Sequence, residues 1–214
     1  MEFISILNDV LGPVMRGPSS SHTAGSYHIG RIARSLLGEP PVSVLFIFDP
    51  DGSYIKTYDK QAADQAFAAG IVEWPLTDAR FAKALDFAAS QGIRIEFRAE
   101  PLEYADHPNT VKIQMNSKSG NSLTTIAKSV GGGGVVFSRL EGWPVSLNGK
   151  SYAVIVHCDE SSESEVKESL LSDKDGRFLE MRETRDKEVL LSVHRSTPLE
   201  PAKQRQIQAQ TAGK

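Results

Sequence analysis

Cysteine is nearly absent: Cys158 is the single thiol in 214 residues. One thiol makes no internal disulfide, no zinc finger and no full set of iron–sulfur ligands. Following the apolar run Tyr152–Val156, it reads as a small buried hydrophobe. There is no excess of positive charge either. The net charge is −3, and no basic stripe with interleaved aromatics occurs, so a nucleic-acid partner is not expected. No run is long and apolar enough to span a membrane, so no membrane partner is expected. The N-terminus carries Glu2 early and lacks a basic region, so no signal peptide is expected and the cytoplasm is the anticipated compartment. A nucleotide-binding strand–glycine–helix pattern is missing too: the run Gly131–Gly134 lacks spaced glycines and a following helix. What remains is ordinary globular composition, with 40% hydrophobic and 24% charged residues. The length allows one good-sized domain or two small ones, with a real core.

What the chain does have is Gly17-Pro18-Ser19-Ser20-Ser21-His22-Thr23-Ala24-Gly25. Three consecutive serines, a threonine and a histidine stand between glycines that let backbone and ligand approach closely. The segment Ser26–Leu37 reads as a helix with Ile29, Ile32, Ala33, Leu36 and Leu37 on one face. The loop therefore feeds a helix N-terminus, where free N–H groups and the helix dipole favour an anion. A plain Ser/Thr cap after a flexible turn would need a single hydroxyl; so many donors in a row point to a site at Ser19, Ser20, Ser21 and Thr23. His22 adds a group that moves a proton near neutral pH.

Along the chain, an amphipathic helix is predicted over residues 2–11 on Phe3, Ile4, Leu7 and Leu11. A long helix follows from about Thr23 to Leu37, stopped by Gly38. Val42–Phe48 reads as a central strand covered on both faces. Asp49–Gly52 reads as a hairpin turn, with Ser53–Tyr58 as the returning strand. Gln61–Ala69 is helical by composition, and Thr77 caps a helix through Ala89 that Gly92 ends. Ile93–Arg98 alternates as a half-exposed strand. Thr110–Met115 and Ser122–Ala127 make a hairpin about Lys118–Asn121, and Val135–Phe137 follows the glycines. The fold class predicted is α/β (α+β) with a mixed, largely antiparallel sheet.

Trp143-Pro144 and Asn148-Gly149 mark a boundary. Beyond it, a strand over Tyr152–His157, a helix over Ser161–Leu171 and a hairpin of Arg177–Thr184 with Glu188–His194 give the order β-α-β-β, part of a ferredoxin-like unit. The domains expected are residues 1–148, 149–197 and a polar tail over 198–214, which is either helical or disordered.

Of the five histidines, His22 has the strongest case, either as a base or as a ring that only holds its loop. His107 precedes Pro108, which holds it extended; it is either a pocket residue or an exposed turn residue, and Asp106 can set its tautomer or raise its pKa. Ser129 and Gly131–Gly134 serve either ligand contact or a tight turn. His28 is expected on a solvated helix line with Arg31 and Arg34, and His157 and His194 are expected to be structural.

The loop, preceded by Leu7–Met15, resembles the opening of the β subunit of bacterial iron–sulfur L-serine dehydratases. Ser35-Leu36-Leu37-Gly38, His107-Pro108-Asn109-Thr110 and Ser129–Gly134 resemble further motifs in the family's order. The resemblance covers residues 1 to about 150. It implies a reaction of L-serine to pyruvate and ammonia, and a [4Fe–4S] cluster ligated mainly by a cysteine-bearing α subunit, with no metal ligands in this chain. It implies that the hydroxyl loop faces that cluster across the subunit interface, and that this chain alone does not deaminate serine. It implies catalytic His22 and His107, and substrate- or anion-binding Ser19, Ser20, Ser21, Thr23, Asn109, Thr110, Ser129, Gly131 and Gly132. The small-molecule partner is an amino or hydroxy acid, and a homodimer is a further option. Two segments depart from the family. Tyr58–Asp64 lacks a Gly-His-Gly-Thr-Asp run, keeping Asp64 alone. The C-terminal unit resembles a reduced ACT domain whose Asp159–Glu163 loop lacks the glycine of an effector site. The same fold resembles the allosteric substrate-binding domain of some phosphoglycerate dehydrogenases, so the alternative is a non-catalytic module binding an anion or small acid.

Overall fold

The computed structural model describes residues 16–171 and 181–211. The helix expected over 2–11 and the start of the strand expected from Arg177 lie outside them. The fold is α+β, in two compact units, Met1–Gly142 and Trp143–Lys214.

In the first unit, helix α1 (Gly25–Leu37) precedes strand β1 (Pro41–Phe48). Helices α2 (Tyr54–Thr57), α3 (Ala63–Ile71) and α4 (Ala84–Ser90) lead to β2 (Arg94–Ala99), and β3 (Thr110–Ser117), β4 (Ser122–Gly131) and β5 (Gly134–Leu140) follow. These five strands lie in the order β2-β1-β3-β4-β5. Strands β1 and β2 run parallel, which requires a crossover, and α2–α4 provide it. The other pairs are antiparallel, as the successive hairpins predict. Register puts the apolar residues in rows on one face: Phe46 stands opposite Ile113 and Ile113 opposite Thr125. The ring of Phe67 on α3 sits 4.4 Å from that of Phe46, so α3 covers this face.

Helices α1 and α3 meet backbone to backbone. A Cβ on Gly30 would lie 2.5 Å from the carbonyl oxygen of Phe67, and one on Gly70 2.4 Å from that of Tyr27. No larger residue fits either position without separating the helices.

Three expectations change. Ser53–Tyr58 is not a returning strand: it holds helix α2, because β1 finds its partners in β2 and β3. Tyr54 turns inward and is fully buried, stacked on Phe48 at 5.1 Å. Asp49–Gly52 is consequently a turn into a helix, closed by the Gly52 N–H on Asp49 O at 3.0 Å. The helix expected from Thr77 narrows to α4, with a 3₁₀ turn at Phe81–Lys83 before it.

The second unit begins with β6 (Trp143–Leu147), where the sequence suggested only a boundary. Strands β7 (Tyr152–Asp159), β8 (Met181–Arg185) and β9 (Glu188–Arg195) form a sheet in the order β7-β9-β8. Strand β9 is antiparallel to both neighbours. With helix α5 (Glu163–Leu171) between β7 and β8, this is a split β-α-β with the third strand inserted. The tail is helical as α6 (Pro201–Thr211). Its Ile207 joins Val166, Leu170, Val189, Leu191 and Cys158 in the unit's core. Cys158 is buried as expected, and burial pushes its thiol pKa up.

Candidate active site

The hydroxyl loop closes on itself before α1 begins. Residues Ser20–Ala24 form a π-type turn capped by Ser19, whose Oγ accepts the His22 N–H at 3.1 Å. The Ser19 carbonyl accepts the Thr23 N–H at 2.8 Å, and the Ser19 N–H donates to Thr23 Oγ1 at 3.2 Å. The loop is thus a preorganised cap with surplus hydroxyls. Thr23 spends its hydroxyl inside the protein, donating to the Gln61 carbonyl at 2.9 Å, whereas Ser19, Ser20 and Ser21 are half-buried.

His22 is 8% exposed. Its Nδ1 lies 3.1 Å from Ser21 Oγ and 3.3 Å from Ser19 Oγ, and its Nε2 lies 3.1 Å from Ser53 Oγ. Burial lowers its pKa below the ordinary imidazole value, since desolvation disfavours the charged ring. The ring is therefore a neutral base at neutral pH. Each nitrogen already meets a serine hydroxyl, so a proton moving to the ring either passes through a hydroxyl or replaces it.

Tyr54 supports this arrangement from below. Its ring packs edge-on against His22, with centroids 5.3 Å apart. Its hydroxyl accepts from Ser26 Oγ at 3.1 Å and lies 3.5 Å from the Ser21 carbonyl. Complete burial raises its pKa, so it stays a neutral phenol. One side chain thus joins the aromatic core to the loop.

The His107–Thr110 segment reaches the same place through backbone. The Pro108 carbonyl accepts the Ser53 N–H at 2.7 Å, and the Asn109 carbonyl accepts the Ser129 N–H at 3.2 Å. His107 Nδ1 accepts the Asn109 N–H at 3.1 Å, which fixes the neutral tautomer with its hydrogen on Nε2. Asp106 does not set that tautomer. It pairs with Lys128, and this bond holds its carboxyl below the usual range. Thr110 is buried and its hydroxyl closes the turn on the His107 carbonyl at 2.7 Å. Ser129 is fully buried beneath Gly25; a Cβ on Gly25 would lie 2.1 Å from Ser129 Oγ.

Gly131 and Gly134 pair across the β4–β5 hairpin. Gly131, Gly132 and Gly133 have φ of +96°, +58° and +77°, so Gly132-Gly133 form a two-residue turn that needs left-handed backbone. His28 is half-buried rather than on a solvated line, packed edge-on against Tyr27, and burial and then Arg31 lower its pKa. In the second unit His157 lies 3.4 Å from Glu188, and His194 Nδ1 2.8 Å from Ser151 Oγ.

In the first unit the buried amide oxygens Gln61 Oε1 and Asn109 Oδ1 have no hydrogen-bond partner among the described residues, and neither does Gln210 Oε1 in the second. Such a group costs about 1–3 kcal/mol when left unpaired. Gln61, Ser53 and Tyr54 are site residues that sequence patterning misses. The contacts that recruit them are remote in sequence, and an Asp-Gly turn followed by two hydroxyl side chains is the local hint. Among the described residues no group of three or more His, Cys, Asp and Glu side chains is placed to hold a metal.

The chain matches no protein-family model. Over 157 residues it is 41% identical to the "Probable L-serine dehydratase, beta chain" of Bacillus subtilis (strain 168), covering 73% of this chain and 69% of that protein. Over 152 residues it is 30% identical to the "L-serine dehydratase, beta chain" of Peptoniphilus asaccharolyticus, covering 71% and 68%.

Proposed function

This chain belongs to the L-serine dehydratase β-chain family, and from that membership we infer that, joined to an α chain, it converts L-serine to pyruvate and ammonia. The observation that carries the residue assignment is the His22 ring, buried, neutral and flanked by hydroxyls at both nitrogens.

The reaction removes the α-proton and the β-hydroxyl of serine. The resulting aminoacrylate tautomerises to an imine, and water releases pyruvate and ammonia. The half-buried Ser20 and Ser21, with the free N–H groups at the start of the turn, suit the substrate carboxylate. His22 takes the α-proton. His107, its Nδ1 held by Asn109, orients the substrate through the Nε2 hydrogen. Thr23, Thr110 and Ser129 hold the walls in place, and Gly131–Gly132 shape the hairpin beside Ser129.

A [4Fe–4S] cluster needs about three or four thiolate ligands, and this chain offers one buried thiol, Cys158. Its residues do not fit the cluster as a ligand set, so the cluster is assigned mainly to the α chain and no step here runs through it. The split β-α-β of the second unit supports reading it as a reduced ACT-like module.

The test is anaerobic co-expression with the α chain and an assay of pyruvate from L-serine. The wild-type pair is expected to turn over and this chain alone is not. His22→Ala should lower turnover by about 10²–10⁴, far more than the loss of a buried ring lowers the melting temperature of the complex. Near-normal turnover in that variant removes His22 from the mechanism.

A further inference from the structure

Ser53 is where the two histidine-bearing segments meet. Its N–H donates to the Pro108 carbonyl at 2.7 Å, and its Oγ lies 3.1 Å from His22 Nε2. The His22 ring is the one hydrogen-bond partner of that hydroxyl among the described residues. The Ser53 carbonyl takes the Thr57 hydroxyl at 3.0 Å. The backbone before it has no slack: a Cβ on Gly52 would lie 2.9 Å from the Pro108 carbonyl oxygen and 3.0 Å from that of Asp49. Ser53 is thus held at its amide and its carbonyl, and its hydroxyl is left for the ring.

The hydroxyls around His22 set which nitrogen carries its hydrogen. Ser19 Oγ accepts the His22 main-chain N–H, so its own hydrogen remains to be given. It lies 3.3 Å from Nδ1 and 3.3 Å from Ser21 Oγ, and Ser21 Oγ lies 3.1 Å from Nδ1. Two hydroxyl hydrogens therefore gather at Nδ1, and a lone pair there accepts. A neutral ring with its lone pair at Nδ1 carries its hydrogen at Nε2, where Ser53 Oγ stands as the acceptor.

We propose that Ser53 is a positioning residue: it accepts the Nε2 hydrogen of His22, fixes that tautomer and aims the Nδ1 lone pair at the half-buried Ser19–Ser21 face of the loop. A base that must hold one aim is oriented by a third group at its far side. Here that group is a neutral hydroxyl. When a proton reaches Nδ1, the bond from Nε2–H to Ser53 becomes charge-assisted and strengthens. Because Ser53 also hangs on Pro108, the turn that holds His107 and the loop that holds His22 keep one spacing. What the aimed lone pair does rests on the dehydratase reading; the tautomer itself does not.

Long-range proton–nitrogen NMR spectra of the full chain read the tautomer without the α chain. His22 should carry its hydrogen on Nε2, and Ser53→Ala should raise the fraction of the Nδ1–H form. In the complex with the α chain, prepared anaerobically, Ser53→Ala should lower kcat for L-serine about tenfold, the effect of one hydrogen bond, and leave KM within about twofold. Ser53→Thr keeps the hydroxyl and should recover most of that rate. The acid limb of the pH–rate profile should move down by about half to one unit in Ser53→Ala, because the charged ring loses its acceptor. It should move up in Ser53→Asp, where a carboxylate faces Nε2. The titratable group packed on the ring is the neutral Tyr54 phenol, and burial alone shifts the His22 pKa, so no charged side chain among the described residues hides these moves. A residue that merely packs the loop does not move the limb in opposite directions. A wild-type chain with the hydrogen on Nδ1, or a Ser53→Ala protein with an unchanged tautomer or an unmoved acid limb, overturns the proposal. The wild-type spectrum decides where Ser53→Ala does not fold. A wild-type complex that makes no pyruvate overturns the dehydratase reading instead, and the spectra of the chain alone still decide whether Ser53 fixes the tautomer.

Discussion

Replacing Gly25 with alanine should push the loop that carries His22 away from the sheet. The new methyl carbon would lie 2.1 Å from Ser129 Oγ and 2.8 Å from Ser129 Cβ, where ordinary contact begins near 3.4 Å. Rotating the hydroxyl relieves the nearer clash, but the Cβ is fixed to a strand whose N–H is bonded to Asn109. The helix start must therefore move. Gly25 itself has φ −60° and ψ −45°, so alanine suits the backbone and gains about 1 kcal/mol of helix propensity. Overpacking costs about 1–3 kcal/mol, and disturbing the buried Ser129 hydrogen bonds adds about 1 kcal/mol. The net loss is about 1–3 kcal/mol, or about 2–12 °C in melting temperature for a chain of this size. The displacement also misplaces His22, and a shift of about 1 Å costs about 10²-fold in rate. The assay is a double-mutant cycle by thermal and urea unfolding, with pyruvate formation alongside. Ser129→Gly removes both clashing atoms and should couple to Gly25→Ala by at least about 1 kcal/mol; Ser129→Ala removes only Oγ and should couple less. A Gly25→Ala protein as stable as wild type, or losses that simply add, refutes the reasoning.

Gly30→Ala should be worse, because the new Cβ meets main chain rather than a side chain: it would lie 2.5 Å from the Phe67 carbonyl oxygen. A loss of about 3 kcal/mol or more is expected, read from the urea midpoint; an unchanged midpoint refutes it. Burial lowers the pKa of both His22 and His28 from 6.5. Their neutral forms therefore contribute stability that is fully present above about pH 6.5 and lost as pH falls toward the depressed folded values. Urea unfolding from pH 8 to pH 5 should show that fall, and His28→Asn should flatten it. The same shift puts the acid limb of the pH–rate profile of the complex below the ordinary imidazole value, and a limb above it counts against a neutral His22.

Alternating strands were legible because their alternation reflects one buried face. Thr110–Met115 declares β3 in this way; the nearly unbroken apolar run of β1 suggests cover on both faces, whereas Val42 is exposed and Leu45, on the face opposite Val44, Phe46 and Phe48, is half-buried. Ser53–Tyr58 misled because tyrosine and isoleucine favour strands, while the fate of Tyr54 was settled by its packing on Phe48 of β1 and Phe67 of α3. Trp143, Val145 and Leu147 do alternate, yet Pro144 and Asn148-Gly149 carry the louder signal of a break. In the site, the hydroxyl loop was visible because its donors are consecutive. Ser53, Tyr54 and Gln61 were not, since no local pattern announces a partner that the chain brings in from elsewhere. The Asp106–Lys128 pair is of the same kind: sequence proximity suggested His107 as the partner of Asp106, and the neighbouring strand supplied a stronger one.

The glycine pair between α1 and α3 also sets which substitutions this chain can accept. With carbonyl oxygens lying where side chains would be, the two helices have a single seating, like a key cut without spare teeth. Gly30 and Gly70 cannot be exchanged for each other's loss, since each fills against a different carbonyl. Variation is left to the outward line of Arg31 and Ser35. A helix that presents a reactive loop at its head can then change its surface, and with it the partners it meets, while the head keeps its aim.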